Sequence, residues 1–150
     1  MATLRNENER TELLTRIRNL TGDETPKWGK MTVDQMLSHL VQAGELPFEA
    51  SVPERSTFFS RTVIKPLVIH LLPMPKEVKV SAELDQRQSG REPQGFENDR
   101  NALIEVTNRL GIIDEGHKCL NHPFFGPMTV NQWAKIAHKH MDHHLRQFGV

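Results

Sequence analysis

The chain's eight histidines are its residues best suited to chemistry, and they are unevenly placed. Four of them, His138, His140, His143 and His144, fall within seven consecutive positions, and such clusters are a sign of metal binding. On a helix each residue turns by about 100°. That projection sets His140 and His144 in the middle of an apolar stripe formed by Trp133, Ile136, Ala137 and Phe148. His143 and Gln147 lie at the edge of the same face, while His138 shares the opposite side with Asp142 and Arg146. A histidine pair at i, i+4 stacks two imidazoles about 6 Å apart along the axis, the spacing by which one helix clamps one metal ion. Buried rings need polar partners in any case. Carbonyls or waters could serve as well as a metal, and spacing alone leaves both readings open.

A tight site needs a third ligand from another element. His39 is the best candidate, lying mid-helix after a helix start at Thr32. The apolar residues Val33, Met36, Leu40 and Val41 pass to one side of it, so its phase sets it at the lip of a bundle cavity or in solvent. The other candidates are weaker. His117, Cys119 and His122 are spaced unlike a zinc knuckle, and Cys119 reads as a quiet thiol rather than a nucleophile. His122-Pro123 shapes a turn, and His70, Trp28 and Trp133 read as core residues. There is no tyrosine, and no Gly-rich phosphate loop, nucleophile elbow or H-E-x-x-H motif.

Positioning these groups requires helices. Leu13, Leu14, Ile17 and Leu20 recur at helical spacing between Glu7 and Leu20, and Gly22 and Pro26 stop that run. Thr32 with Gln35 forms a capping box for a second helix, reaching Ala43 or Gly44. The most apolar stretch, Thr57 to Leu72, predicts a helix that Pro66 splits or kinks. Glu77 to Leu84 alternates in a way that would suit a short strand, although no partner strand is evident, and Asp85 to Gly95 is a polar loop. Helical period returns from Glu97 to Leu110, with Gly111 as its stop. Thr129 with Gln132 forms a second capping box for a last helix to Gln147 or Phe148, capped by Gly149. The two starts echo each other, Gly29-Lys30-Met31-Thr32-Val33-Asp34-Gln35-Met36 against Gly126-Pro127-Met128-Thr129-Val130-Asn131-Gln132-Trp133, but eight aligned positions are too few to establish duplication.

The 150 residues suit one domain, 1–150, of an all-α class. Nineteen basic and nineteen acidic side chains cancel, which argues against a nucleic-acid partner held by bulk charge. No apolar run is long enough to span a membrane. The polar start, Met1 to Glu7, lacks the apolar core of a secretory signal, and a lone cysteine gives no internal disulfide, so the expected location is cytoplasmic.

Trp28-Gly29-Lys30-Met31 through Met36-Leu37-Ser38-His39-Leu40, together with His140-Met141-Asp142-His143-His144-Leu145-Arg146-Gln147, resembles the DinB/YfiT-like superfamily. Within it the chain is similar to a bacterial subfamily ending in a histidine-rich helix and Gln-Phe-Gly. The resemblance implies a four-helix bundle holding one divalent metal on three histidines, here His39, His140 and His144, with Gln147 as their companion. It covers both ends of the chain. Phe48 to Gly95 matches no motif and is expected to be an extra helical or irregular insertion. By resemblance the activity is that of a metal-dependent enzyme using zinc, nickel or iron on a small-molecule substrate. Thiol S-transfer or thiol-dependent isomerisation with a low-molecular-weight thiol leads, followed by metal-activated hydrolysis. Gln147 and His143 are the candidate catalytic residues, and a homodimer is a further expectation. The alternative class is a non-catalytic binding or stress-response module with a structural metal or none.

Overall fold

Side-chain caps fix where three of the four long helices begin. In the computed structural model, which describes residues 1–76 and 78–150, α1 spans Glu7–Asn19 and α2 spans Val33–Glu45. A short α3 covers Lys65–His70, α4 covers Phe96–Ile112 and α5 covers Val130–Gln147. The Asn6 side chain accepts from the Asn8 and Glu9 amides at the head of α1. Both expected capping boxes are present, Thr32 with Gln35 and Thr129 with Gln132. Each satisfies two amides that a helix N-terminus would otherwise leave unpaired. The glycine opening each echo, Gly29 and Gly126, has a positive φ, 77° and 67°. At the other end of α5 the Val150 amide bonds the Leu145 carbonyl and the Gly149 amide bonds that of Arg146, with Gly149 at φ 83°. This is a Schellman stop, and glycine takes that φ without strain.

The chain is all-α. Both α1 and α2 pack against α4 and α5, while among the described residues the backbones of α1 and α2 do not approach each other closely, so they lie across a diagonal of the bundle. Leu13, Ile17, Met36, Leu37, Leu40, Leu103, Leu110 and Leu145 fill its centre and are almost wholly buried. Burying these side chains is the main favourable term in folding. Gly111 does not stop α4, which runs on to Ile112. A Cβ at Gly111 would stand 2.8 Å from the Leu4 carbonyl oxygen, so this glycine serves close packing with the N-terminal segment.

The middle segment is the expected mixture of helical and irregular chain. Helical residues begin at Phe58, and a π turn over Ser60–Ile64 leads straight into α3. There the Lys65 amide bonds back to the Ser60 carbonyl. The wide turn falls just before Pro66, whose ring would clash with the carbonyl four residues back in a regular helix. So Pro66 widens the helix rather than splitting it. Lys139 on α5 donates to the Val68 and Leu72 carbonyls at the end of α3. Beneath it Ile69, Trp133, Ile136, Phe125 and Met128 form a second apolar cluster. His70 is exposed, not part of the core.

Of the stretch proposed as a strand, Glu77 lies outside the described residues, and the remainder is irregular chain ending in a 3₁₀ turn at Ala82–Leu84. Val78 and Val80 are exposed, Leu84 alone of the alternating apolar residues packs against the second cluster, and among the described residues no other segment pairs with this stretch. No helix is long and apolar enough to cross a membrane among the described residues.

A buried carboxylate anchors the loop after this turn. Asp99, with no exposed surface, accepts from Arg91 Nη1 and from the Gln94 amide, both at 2.7 Å. Arg91 also donates to Ser38 Oγ at 2.9 Å, and Ser38 Oγ donates to the Arg91 carbonyl at 2.7 Å. The loop is thereby bolted to α2 and α4 at once. Removing one partner of such a pair strands the other without compensation. Asp99→Ala is therefore expected to cost about 3 kcal/mol of stability in urea denaturation. A loss under about 1 kcal/mol would show that the loop is held by other contacts.

Candidate metal centre

His39 stands on α2, and His140 and His144 stand one turn apart on α5. The three rings converge. His140 Nε2 lies 3.1 Å from His39 Nε2 and 3.1 Å from His144 Nε2. Ring centroids are 4.8 to 5.0 Å apart. His39 and His144 are each only 7% exposed, while His140 is half-buried and carries the cluster toward solvent. Among the described residues this is the only group of three or more metal-binding side chains with its donor atoms within reach of one ion.

The surrounding hydrogen bonds decide which nitrogens carry protons. Gln42 accepts at Oε1 from the Arg91 amide and donates from Nε2 to the Glu83 carbonyl. A backbone amide only donates and a backbone carbonyl only accepts, so the Gln42 side chain has one possible orientation. Gln86 must then donate its Nε2 to Gln42 Oε1, at 2.8 Å, which turns its own Oε1 toward His39 Nδ1, at 3.0 Å. The Leu84 carbonyl faces the same Nδ1 at 3.1 Å. His39 Nδ1 therefore bears the proton, and Nε2 presents a lone pair.

The same logic applies to His144. Gln147 donates from Nε2 to the Trp28 carbonyl at 2.7 Å, so its Oε1 accepts from His144 Nδ1, also at 2.7 Å. Again Nε2 is left as the acceptor. Gly29 makes this contact possible, because a Cβ there would stand 2.7 Å from Gln147 Nε2. Two lone pairs thus point at His140 Nε2, whose single proton can satisfy one of them at a time. A cation satisfies all three. With metal–nitrogen bonds of about 2.0–2.1 Å, ligand atoms stand about 3.3 Å apart in a tetrahedral site and about 3.0 Å in an octahedral one. The 3.1 Å from His140 to each of its neighbours fits either geometry, and all three donor atoms lie within 4.8 Å of one another.

Burial lowers the pKa of all three imidazoles, strongly for His140 and to about 3 for His144, and the neighbouring rings lower those two further. Neutral imidazole is the form that ligates. Burial also lowers His143, with Arg146 and Lys76 acting in the same direction and Asp142 against them. Its ring is half-buried at the rim, 5.2 Å from His144 and 5.6 Å from Trp28.

Two expectations change. His39 does not sit at a lip. The wall on its far side is polar and comes from Leu84 and Gln86 in the insertion, so an apolar stripe could not reveal it. Gln147 has both ends of its amide committed, which makes it a positioning residue, not one free to meet a substrate. The amides of Gln42, on α2, and Gln86, in the polar loop, were missed, since neither glutamine carries a spacing signal. His117 and Cys119 do not join the cluster, and burial raises the Cys119 thiol pKa, in keeping with a quiet thiol. His122 is a structural ring. It stacks on Phe125 and Trp133, accepts the Phe124 and Phe125 amides at Nδ1, and has its pKa lowered to about 4 by burial. Trp133 is buried as expected, but Trp28 only half so.

Residues 3–149 match the family described as "Protein of unknown function (DUF1569)", and the chain belongs to that family. No curated protein and no solved structure matches it.

The lowered pKa values set the response to acid. Between about 6.5, the unfolded imidazole value, and about 3 for folded His144, the unfolded chain binds protons that the folded chain does not. Stability then falls as pH drops through that window. The melting temperature of metal-free protein is expected to decline steadily from pH 7 to pH 4. A flat profile would mean that the rings are not held neutral by burial.

Proposed function

We propose that the protein is a metal-dependent enzyme in which His39, His140 and His144 hold a divalent ion. What carries this reading is the convergence of three Nε2 atoms, His140 at 3.1 Å from each of the other two and all three within 4.8 Å, with two of them already committed as lone pairs by the amides behind them. The likeness of the Trp28 and His39 segment and the last helix to the DinB/YfiT-like superfamily supports it, with the same three residues in the ligand positions. Zinc, nickel and iron(II) all suit imidazole donors.

Three neutral ligands leave the charge of a divalent ion uncompensated and leave coordination positions open, the arrangement of catalytic rather than structural sites. An ion held there supplies Lewis-acid chemistry, lowering the pKa of a thiol or water that reaches it. The side of the cluster toward half-buried His140 is where a small molecule would enter. The reaction we favour uses a low-molecular-weight thiol as nucleophile. The thiol gives up its proton, the sulfur lone pair forms a bond to carbon of the electrophile, and the leaving group departs with its electron pair. Gln86 and Gln147 hold the ligand rings, and His143 stands at the rim to receive or return a proton.

A structural metal is the second reading, favoured by the near-complete burial of His39 and His144 between α2 and α5. Elemental analysis of untagged protein and of a His39/His140/His144 triple alanine variant tests binding, with one ion per chain expected in the first and none in the second. Turnover of a thiol with a generic alkylating electrophile then separates the readings. We expect His144→Ala to lower the rate about 100-fold while leaving the melting temperature within a few degrees. A large loss of stability without a rate to lose would favour the structural reading.

A further inference from the structure

Beside the histidine cluster lies a group of donors with no assigned role. Trp28 is half-buried, yet its indole Nε1 is shut away from solvent and has no hydrogen-bond partner. A buried N–H without an acceptor costs free energy and asks for an explanation. Lys76 Nζ stands 5.0 Å from the centre of the same ring. The Trp28 ring also meets His143 at 5.6 Å, and His143 meets His144 at 5.2 Å. A continuous line of side chains thus leads from the cluster outward, from His144 through His143 and Trp28 to Lys76. The backbone of Trp28 is fixed in this line, since its carbonyl accepts Gln147 Nε2.

We infer that Trp28 and Lys76 form a subsite for an anionic oxygen group on a substrate whose other end reaches the three histidines. This rests on the metal reading above. The chemistry is one-sided. An indole N–H and an ammonium offer donors and no acceptor, so they suit a carboxylate or a phosphate oxygen and repel a cation. The ring face covers the apolar linker between the two ends. The ion and Lys76 then hold a bifunctional substrate at both termini, which fixes the reacting end in place. A neutral small molecule would lack the second anchor.

The probe is the full chain loaded with cobalt(II), in which a bound thiol gives a charge-transfer band. Mercaptocarboxylates with two to five methylenes are titrated alongside the mercaptoalcohols of matching length. We expect the carboxylate to bind about tenfold more tightly than its alcohol at one or two of these lengths. In Lys76→Gln and in Trp28→Phe that preference should shrink toward parity, with the alcohols binding as before. Lys76 is exposed, so its replacement leaves the core intact. No preference at any length in the native protein, or a preference that survives in Lys76→Gln, overturns the subsite while leaving the metal reading standing. Failure to take up cobalt overturns the metal reading, and the subsite with it.

Discussion

Three backbone groups with no freedom of choice decide the chemistry of the site. The Glu83 carbonyl can only accept and the Arg91 amide can only donate, so between them they orient the Gln42 amide. From there the polarity passes to Gln86 and on to His39, which is left with its Nε2 lone pair facing inward. The Trp28 carbonyl does the same for His144 through Gln147. Hydrogen-bond partners behind the ligand rings set both tautomer and ring direction in metal sites. Here they do so on two helices at once, and the two lone pairs meet at the ring of His140.

The rest of the structure serves this alignment. The bundle brings α2 and α5 side by side, and the N-terminal boxes at Thr32 and Thr129 fix where each helix begins and hence which residues face inward. The insertion supplies what the helices lack. Its loop delivers Leu84 and Gln86 to the far side of His39, and the Asp99–Arg91–Ser38 knot holds that loop against the bundle. Gly29 keeps the space that Gln147 needs to reach the Trp28 carbonyl. The acceptor arrangement around His140 is costly without a cation, because converging lone pairs repel and burial disfavours protonating them.

The helices and the pair on α5 were legible because periodicity and capping are local, and residues such as Thr32, Gln35, Thr129 and Gln132 carry their meaning within four positions. His140 and His144 could be placed on an inward face for the same reason. His39 could be named but not oriented, since its burial depends on a loop more than forty residues away in sequence, and Gln42 and Gln86 had no signal at all. Gly111 misled, because a glycine near a helix end reads as a stop, while here it makes room for the Leu4 carbonyl. Val78 and Val80 misled by alternating where, among the described residues, no segment lies alongside to pair with them. Tertiary partners, not local preference, decided each of these.

The arrangement of protons can be read directly. A long-range ¹H–¹⁵N correlation spectrum of the metal-free protein at neutral pH distinguishes the two neutral tautomers of every histidine. The account requires His39 and His144 to carry their protons on Nδ1, with Nε2 bare. Either ring found with its proton on Nε2, or both found charged, would contradict it.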